Sequence, residues 1–190
     1  MVDVDPMHAA KTSPLLPRAN SRDLSTAASK AEGAQIIAPP DRAIIHLKSW
    51  ATVPIQPSLT PPGFGGDHRV LNLSPGEWLA VSETLPNSKL TEALDRHLQN
   101  DTIAITDISN GLKTLRVEGP AARELLSRGC GLDLHPERFP PGRCTRTRFA
   151  QLSVVIHCVD AKPRFDLYVG RSFLPWLKSW LTDAAAGLAN

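Results

Sequence analysis

One order of predicted elements occurs twice in this chain, and it constrains the fold more than any other feature. Residues 69–99 and residues 147–183 each contain a strand, a turn, a second strand and an amphipathic helix. A further strand pair with a short helix lies between these two units. Hairpin-plus-helix units place antiparallel strands in one layer and helices in the next. The sequence therefore predicts an α+β domain with a mostly antiparallel sheet and helices on one face.

Hydrophobic spacing defines the individual elements. Apolar residues at the i, i+3, i+4 spacing predict a helix after Pro86 and a last helix that Ser172 is expected to cap. Residues 146–158 are predicted to form one long strand. Residues 164–169 alternate in character, which places Asp166 and Tyr168 on the face opposite Phe165, Leu167 and Val169. Gly129 is expected to end a short helix in the left-handed conformation that favours glycine.

Proline is concentrated in the front third, where nine of the 17 prolines precede residue 63. Proline disfavours helix, and residues 1–35 contain no aromatic side chain that could anchor a core. We therefore predict an extended or disordered arm over residues 1–35, one α+β domain over 36–186, and a C-terminal tail over 187–190. Leu15 and Leu16 lie between prolines, so this piece is either a preformed plug for a neighbouring chain or a mobile tail.

Charge and cysteine content limit the cellular setting. The formal net charge is +2, which is too small to indicate nucleic acid as a partner. No apolar run has the length of a membrane span, and the first residues lack the apolar segment of a secretory signal. Three cysteines without a C-x-x-C pair are typical of reduced thiols. We expect a cytoplasmic protein with no membrane partner.

The sequence contains no motif that carries chemistry. Its six histidines are scattered, there is no G-x-S-x-G motif, and the glycines of residues 63–66 lack the G-K-[ST] ending of a phosphate loop. We therefore predict no catalytic, cofactor-binding or metal-binding residue in this chain.

Several residues of the sequence are suited to contact with another protein. Arg146 and Arg148 share one face of a strand, where they could bind carboxylates of a partner or form intrachain ion pairs at a solvated surface. The predicted apolar faces do not need four of the aromatic side chains, namely Trp50, Phe64, Trp176 and Tyr168. Tryptophan and tyrosine are enriched in protein interfaces. These features, with Leu15 and Leu16, predict a subunit interface.

Several segments resemble the gamma subunit of bacterial heterotetrameric sarcosine oxidase. The resemblance covers about residues 69–182 and has a weaker front anchor at Ser13-Pro14-Leu15. The segments that carry it are residues 107–122, which include Arg116-Val117-Glu118-Gly119-Pro120-Ala121-Ala122, then Leu125-Leu126, Gly129-Cys130, Leu132-Asp133-Leu134, residues 142–147, residues 165–169 and Arg171-Ser172-Phe173. The Arg-Val-x-Gly-Pro-x-Ala unit also resembles the folate-binding fold of the glycine-cleavage aminomethyltransferase. The resemblance implies a reduced version of that fold with ferredoxin-like halves.

The resemblance also implies a function. The family is a flavoenzyme of alpha, beta, gamma and delta chains that oxidises sarcosine to glycine, passes the one-carbon unit to tetrahydrofolate or releases formaldehyde, and reduces oxygen to hydrogen peroxide. FAD, FMN, NAD, tetrahydrofolate and zinc are then expected on the other subunits and none on this chain, which would stabilise the complex without catalysing a step.

Two alternatives stay open at this point. The chain could be a freestanding folate-binding module of the aminomethyltransferase type. It could also be a basic RNA-binding domain that acts through Arg143, Arg146 and Arg148, although no aromatic stacking platform accompanies these residues.

Overall fold

The computed structural model describes residues 29–31, 33–50, 68–98 and 102–188. None of the helices in these ranges is long and apolar enough to cross a bilayer. The strands and helices of these ranges are, in chain order, β1 (Ser29–Ala31), β2 (Ala34–Ile37), β3 (Ala43–Ser49), β4 (His68–Ser74), β5 (Glu77–Ser82), α1 (Asn87–Leu98), β6 (Ile103–Asp107), β7 (Leu112–Glu118), α2 (Ala122–Ser127), β8 (Cys144–Phe149), β9 (Leu152–Asp160), β10 (Arg164–Gly170) and α3 (Leu174–Ala186). A 3-10 turn at Arg171–Phe173 leads into α3.

Within the described ranges the strands pair into two sheets. The larger sheet has the order β1-β2-β7-β10-β9-β8, and the smaller has the order β4-β5-β3-β6. Every pairing is antiparallel. The predicted α+β class with mostly antiparallel strands is thus confirmed. The two units seen in the sequence occupy different sheets, β4-β5-α1 in the smaller and β9-β10-α3 in the larger.

The two sheets pack face to face, and each carries helices on its outer face. Leu90 and Leu94 of α1 pack on the smaller sheet. Helices α2 and α3 pack on the larger sheet through residues such as Leu125 and Leu181. Between the sheets lies a third apolar layer, made of Ile44, Leu71, Leu79, Val81, Val155 and Tyr168. Because strand side chains alternate, β10 gives Phe165, Leu167 and Val169 to the helix side and Asp166 and Tyr168 to the layer between the sheets.

The single long strand predicted over residues 146–158 is wrong, since this segment is the hairpin β8–β9. Its two-residue turn is Ala150-Gln151, and both residues have positive φ, 45° and 78°. Such turns normally contain asparagine or glycine. Neither is present, so the local sequence holds no signal for the turn.

Two helix ends also differ from prediction. Gly129 does not have a positive φ, and a Cβ there would lie 2.3 Å from Cζ of the Phe149 ring. The glycine is therefore needed for close packing rather than for a left-handed cap. Ser172 lies inside the 3-10 turn, while the residue before α3 is Phe173, which makes no side-chain capping hydrogen bond.

Strand β2 crosses the boundary proposed at residue 35. Ala34 and Ile36 are buried, and Ile36 pairs with Val117 of β7. Together with β1, residues 34 and 35 therefore belong to the larger sheet, although they lie within the predicted arm. The division into arm, domain and tail otherwise stays a prediction.

Candidate functional site

The layer between the sheets carries charged groups at both ends, with apolar side chains in the middle. At one end Asp166 of β10 is fully buried and accepts hydrogen bonds from two arginines. Arg42 Nη1 lies 2.6 Å from Asp166 Oδ2, and Arg116 Nε lies 2.8 Å from Asp166 Oδ1. Glu83 Oε1 lies 3.1–3.2 Å from nitrogens of Arg42, Arg69 and Arg116. We call these five residues the arginine–aspartate cluster.

Burial and charge act in opposite directions on the titratable groups of this cluster. Burial by itself raises the pKa of Asp166, but hydrogen bonds and charges from Arg116 and Arg42 outweigh it and hold that pKa below its ordinary value. The hydrogen bond to Asp166 raises the pKa of Arg116. Both groups are therefore charged at neutral pH, and this cluster holds the two sheets together.

His157 of β9 lies in the same layer, next to this cluster. It pairs across the strands with Asp166 and is 3% exposed. Burial is the main cause that lowers its pKa to about 4, and the charges of Arg69, Arg42 and Arg116 act in the same direction. The imidazole is therefore neutral at pH 7. Its Nδ1 has no hydrogen-bond partner in the described part of the chain.

The other end of the layer is an open cleft of about 540 Å³. We call it the inter-sheet cleft. Its floor is apolar and includes Leu79, Val155 and Tyr168, and its rim carries Arg146, Glu77 and His46. Glu77 Oε1 lies 2.8 Å from Arg146 Nη2 and 3.0 Å from His46 Nε2. The cleft therefore combines an apolar surface with a half-exposed ion pair.

Glu77 is held in its charged form. Burial raises its pKa, but hydrogen bonds from Arg146, His46 and Ser74 prevail and lower it to about 2. A general acid or base works best with a pKa near the operating pH. Glu77 is therefore suited to orienting Arg146 and His46 rather than to proton transfer.

The predicted interface residues are found in three places. Arg146 and Arg148 lie on the same face of β8, an edge strand of the larger sheet, as predicted. Arg146 pairs with Glu77, whereas Arg148 donates a hydrogen bond to Gln151 of its own hairpin. Trp176 is 41% exposed in the first turn of α3, and Trp50 is 66% exposed at the end of β3. Leu15, Leu16 and Phe64 lie outside the described residues.

Tyr168 is not part of an exposed surface. Its prediction as a surplus aromatic residue for an interface is wrong, since it is 1% exposed because the smaller sheet covers this side of β10. Burial is the main cause that raises its pKa.

The described residues offer few groups for metal or thiolate chemistry. In these ranges no three His, Cys, Asp or Glu side chains lie close enough to hold a metal ion. Burial raises the pKa of Cys144 to about 11 and also raises that of Cys158. Both thiols are therefore protonated at neutral pH and poor nucleophiles.

The arginine–aspartate cluster was missed by the sequence analysis. Arg42 and Asp166 are 124 positions apart, so no local spacing relates them. The available signal was the alternation of polar or charged residues in the two strands, at Thr114, Arg116 and Glu118 of β7 and at Arg164 and Asp166 of β10, which also fits a strand with one face in water.

A family model now identifies the lineage of this chain. The model described as "Sarcosine oxidase, gamma subunit family" matches residues 26–187.

Individual relatives agree with that match. The sarcosine oxidase subunit gamma of Corynebacterium sp. strain U-96 is 31% identical over 115 residues, which are 60% of this chain and 55% of that protein. The corresponding subunit from an Arthrobacter species is 33% identical over 121 residues, 64% of this chain and 58% of that protein. The match thus spans a little over half the length of these relatives.

Solved structures share the fold. A chain of heterotetrameric sarcosine oxidase from Corynebacterium sp. U-96, solved in complex with pyrrole 2-carboxylate, superposes with a TM-score of 0.71 at 23% identity, covering 83% of this chain and 86% of that one. The glycine cleavage system aminomethyltransferase T from Bartonella henselae superposes with a TM-score of 0.57 at 13% identity, covering 80% and 46%. The predicted likeness to the aminomethyltransferase fold is confirmed.

Proposed function

Since the chain belongs to the sarcosine oxidase gamma subunit family, we propose that it is the gamma subunit of a heterotetrameric sarcosine oxidase. The complex would oxidise sarcosine to glycine, with transfer of the one-carbon unit to tetrahydrofolate or release of formaldehyde, and reduce oxygen to hydrogen peroxide. The observation that carries the proposal is the family match over residues 26–187.

We further propose that this chain is a structural subunit of the cytoplasmic complex and contributes no catalytic group. The carboxylates between the sheets support this role. Asp166 is held by Arg42 and Arg116, and Glu77 is held by Arg146 and His46. Both carboxylates have lowered pKa values, so neither is suited to proton transfer near pH 7. In this proposal the alpha, beta and delta partners bind FAD, FMN, NAD, tetrahydrofolate and zinc.

Co-expression tests the proposal. The tagged full-length chain is expressed with the alpha, beta and delta chains of its own organism and purified through the tag. We expect all four chains to elute together with sarcosine-dependent oxygen uptake, while the chain alone elutes without flavin absorbance and consumes no oxygen. A chain that elutes alone in the presence of its partners, or that oxidises sarcosine unaided, contradicts the proposal.

The shared fold with an aminomethyltransferase keeps a folate-binding module as the alternative. Trp78 is buried beneath α1, and Trp176 is partly exposed, so the intrinsic fluorescence reports on two layers of the molecule. Saturable quenching by a reduced folate at micromolar concentration would favour the alternative. A linear, non-saturating response up to millimolar folate would remove it.

A further inference from the structure

A second surface depression lies on the side of the larger sheet, between the β2–β3 connection and the start of α3. It has a volume of about 500 Å³, and its apolar floor comes from Pro39, Pro40, Leu174 and Pro175. Lys113, Arg171 and Lys178 stand around this floor, with Asp41 as the accompanying carboxylate. We call this feature the basic groove.

The charges of the groove do not balance. Lys113 Nζ lies 2.6 Å from Asp41 Oδ1, so one cation is neutralised. In the described part of the chain neither Arg171 nor Lys178 forms an ion pair. Three cations and one carboxylate therefore leave an excess of two positive charges beside an apolar floor. This differs from the inter-sheet cleft, where Glu77 already pairs with Arg146.

The groove is built on stable elements. Arg171 is fixed through its backbone, whose N–H donates to the carbonyl of Gly111 at 2.9 Å. Leu174 and Lys178 are one turn apart on α3 and thus share a face. The prolines on both sides have restricted backbones. A ligand would consequently meet a preformed surface, which lowers the ordering cost of binding.

The same end of α3 carries uncovered aromatic surface on its other flank. Phe173 is 51% exposed and Trp176 is 41% exposed. Tryptophan and arginine are the residue types most enriched among those that dominate interface energies. The start of α3 thus combines unpaired cations, an apolar floor and exposed aromatic rings, which is typical of a protein interface. A nucleic-acid surface is expected to present successive aromatic stacking platforms instead.

Building on the proposed function, we infer that the basic groove receives an extended acidic segment of a partner subunit. Carboxylates of that segment would bind Arg171 and Lys178, and its apolar side chains would cover the proline and leucine floor. Charge complementarity favours an acidic segment as the occupant, because an apolar or basic segment would leave the two unpaired cations desolvated without a countercharge.

The test compares two double charge reversals in the full-length chain. The groove variant is Arg171→Glu with Lys178→Glu, and the matched control is Lys89→Glu with Arg96→Glu on the exposed side of α1. Both variants change the net charge equally. Each variant is co-expressed with the alpha, beta and delta chains to test assembly. The affinity of each purified variant for the assembled alpha, beta and delta chains is then measured at 50 and 300 mM salt. Circular dichroism and the thermal midpoint of the purified variants test whether both remain folded.

We expect the groove variant to lose affinity by at least about 30-fold and the control to lose less than about threefold. The salt dependence of binding should also be weaker in the groove variant than in the wild type. Equal affinities of groove variant and wild type would overturn the inference, and so would equal losses in both variants, which would indicate bulk charge. Unchanged assembly with lost retention on heparin would assign the groove to a polyanion instead.

The two proposals fail in different ways. A wild-type chain that does not join its partners contradicts the proposed function and removes the groove's partner with it. Normal assembly of the wild type and of the groove variant leaves the proposed function standing and overturns the inference alone.

Discussion

The two faces of the larger sheet are held in place by different forces. The outer face meets α2 and α3 through apolar side chains, all fully buried, such as Leu115, Val117, Phe165, Leu167 and Leu181. The inner face meets the smaller sheet through an apolar middle with charged groups at its two ends. Apolar packing has no strict directional requirement, but it is sensitive to changes in side-chain volume. A buried charge, in contrast, strongly destabilises the protein when its partner is removed or misplaced. Ion pairs at both ends of the inner face join the two sheets, so a different packing of the sheets would leave these charges unpaired.

The two ends of the inner face differ in solvent access. Asp166 is 0% exposed, while the side chains of Glu77 and Arg146 are 19% and 48% exposed. Removing one partner of a buried ion pair leaves an uncompensated charge, but water replaces a lost partner at a half-exposed pair. The buried carboxylate–arginine pairs of Asp166 thus stabilise the fold, whereas the Glu77–Arg146 pair remains accessible to solvent.

The largest expected effect comes from Asp166→Asn. The amide keeps the shape but leaves Arg42 and Arg116 without their buried countercharge, so we expect a loss of about 3–5 kcal/mol in the free energy of unfolding. Urea denaturation followed by tryptophan fluorescence measures this. A loss no larger than that of Glu77→Gln would show that the two ends are equivalent.

The second effect is a pH dependence caused by His157. Its pKa is lowered from 6.5 to about 4 in the folded protein, so below pH 6.5 the unfolded chain binds a proton that the folded chain does not. Stability should therefore fall as the pH falls, by roughly 2 kcal/mol between pH 7 and pH 5. Urea midpoints at both pH values give the difference. In His157→Gln the decrease in stability between pH 7 and pH 5 that is caused by His157 should disappear. An unchanged decrease in the variant would assign it to another titratable group.

The outer face is tested by Gly129→Ala. A Cβ there would lie 2.3 Å from the ring of Phe149, which is fully buried and contacts Trp180 edge-on. We expect overpacking to cost about 1–3 kcal/mol in thermal or urea unfolding. Gly131→Ala is the control, because no heavy atom lies within 4 Å of that position, and it should stay within about 0.5 kcal/mol of the wild type.

The smallest effect is expected for Glu77→Gln at the inter-sheet cleft. The loss of unfolding free energy at pH 7 should not exceed about 1 kcal/mol, which is less than the full lowering of the Glu77 pKa implies, because the side chain of Arg146 is 48% exposed and solvent screens its charge. The folded pKa of about 2 lies below the ordinary 4.5, so the contribution of Glu77 is present above pH 4.5 and is lost as the pH falls toward 2. The variant should consequently show a flatter stability curve in that window. A loss at pH 7 as large as that of Asp166→Asn would contradict the comparison.

Much of the secondary structure could be predicted because its signals are local. The apolar spacing after Pro86 predicted α1, in which Leu90 and Leu94 are buried, and Ser74-Pro75-Gly76 supplies residues typical of a turn between β4 and β5. The turn at Ala150-Gln151 could not be predicted, because its positive φ values are imposed by the pairing of β8 with β9 and not by the residues themselves. Local propensity is overridden where the packing and pairing of the flanking strands are strong.

The candidate sites were only partly accessible from the sequence. The shared face of Arg146 and Arg148 followed from strand alternation, and the exposure of Trp50 and Trp176 followed from surplus aromatic content. The Glu77 partner of Arg146 is 69 positions away, and no pattern in the sequence relates the two. The basic groove was also missed, because Lys113 and Lys178 meet only when α3 packs beside β7.

The sequence by itself determined most of the strands and helices, their apolar faces and the family resemblance, since each depends on residues close together in the chain or on motifs read in order. The tertiary structure alone decided that the strands divide between two sheets and that Asp166 becomes a buried anchor for arginines of two other segments. The physical reason is that the position of a strand face, in water or against another sheet, depends on contacts between residues far apart in the chain, which the local pattern does not record.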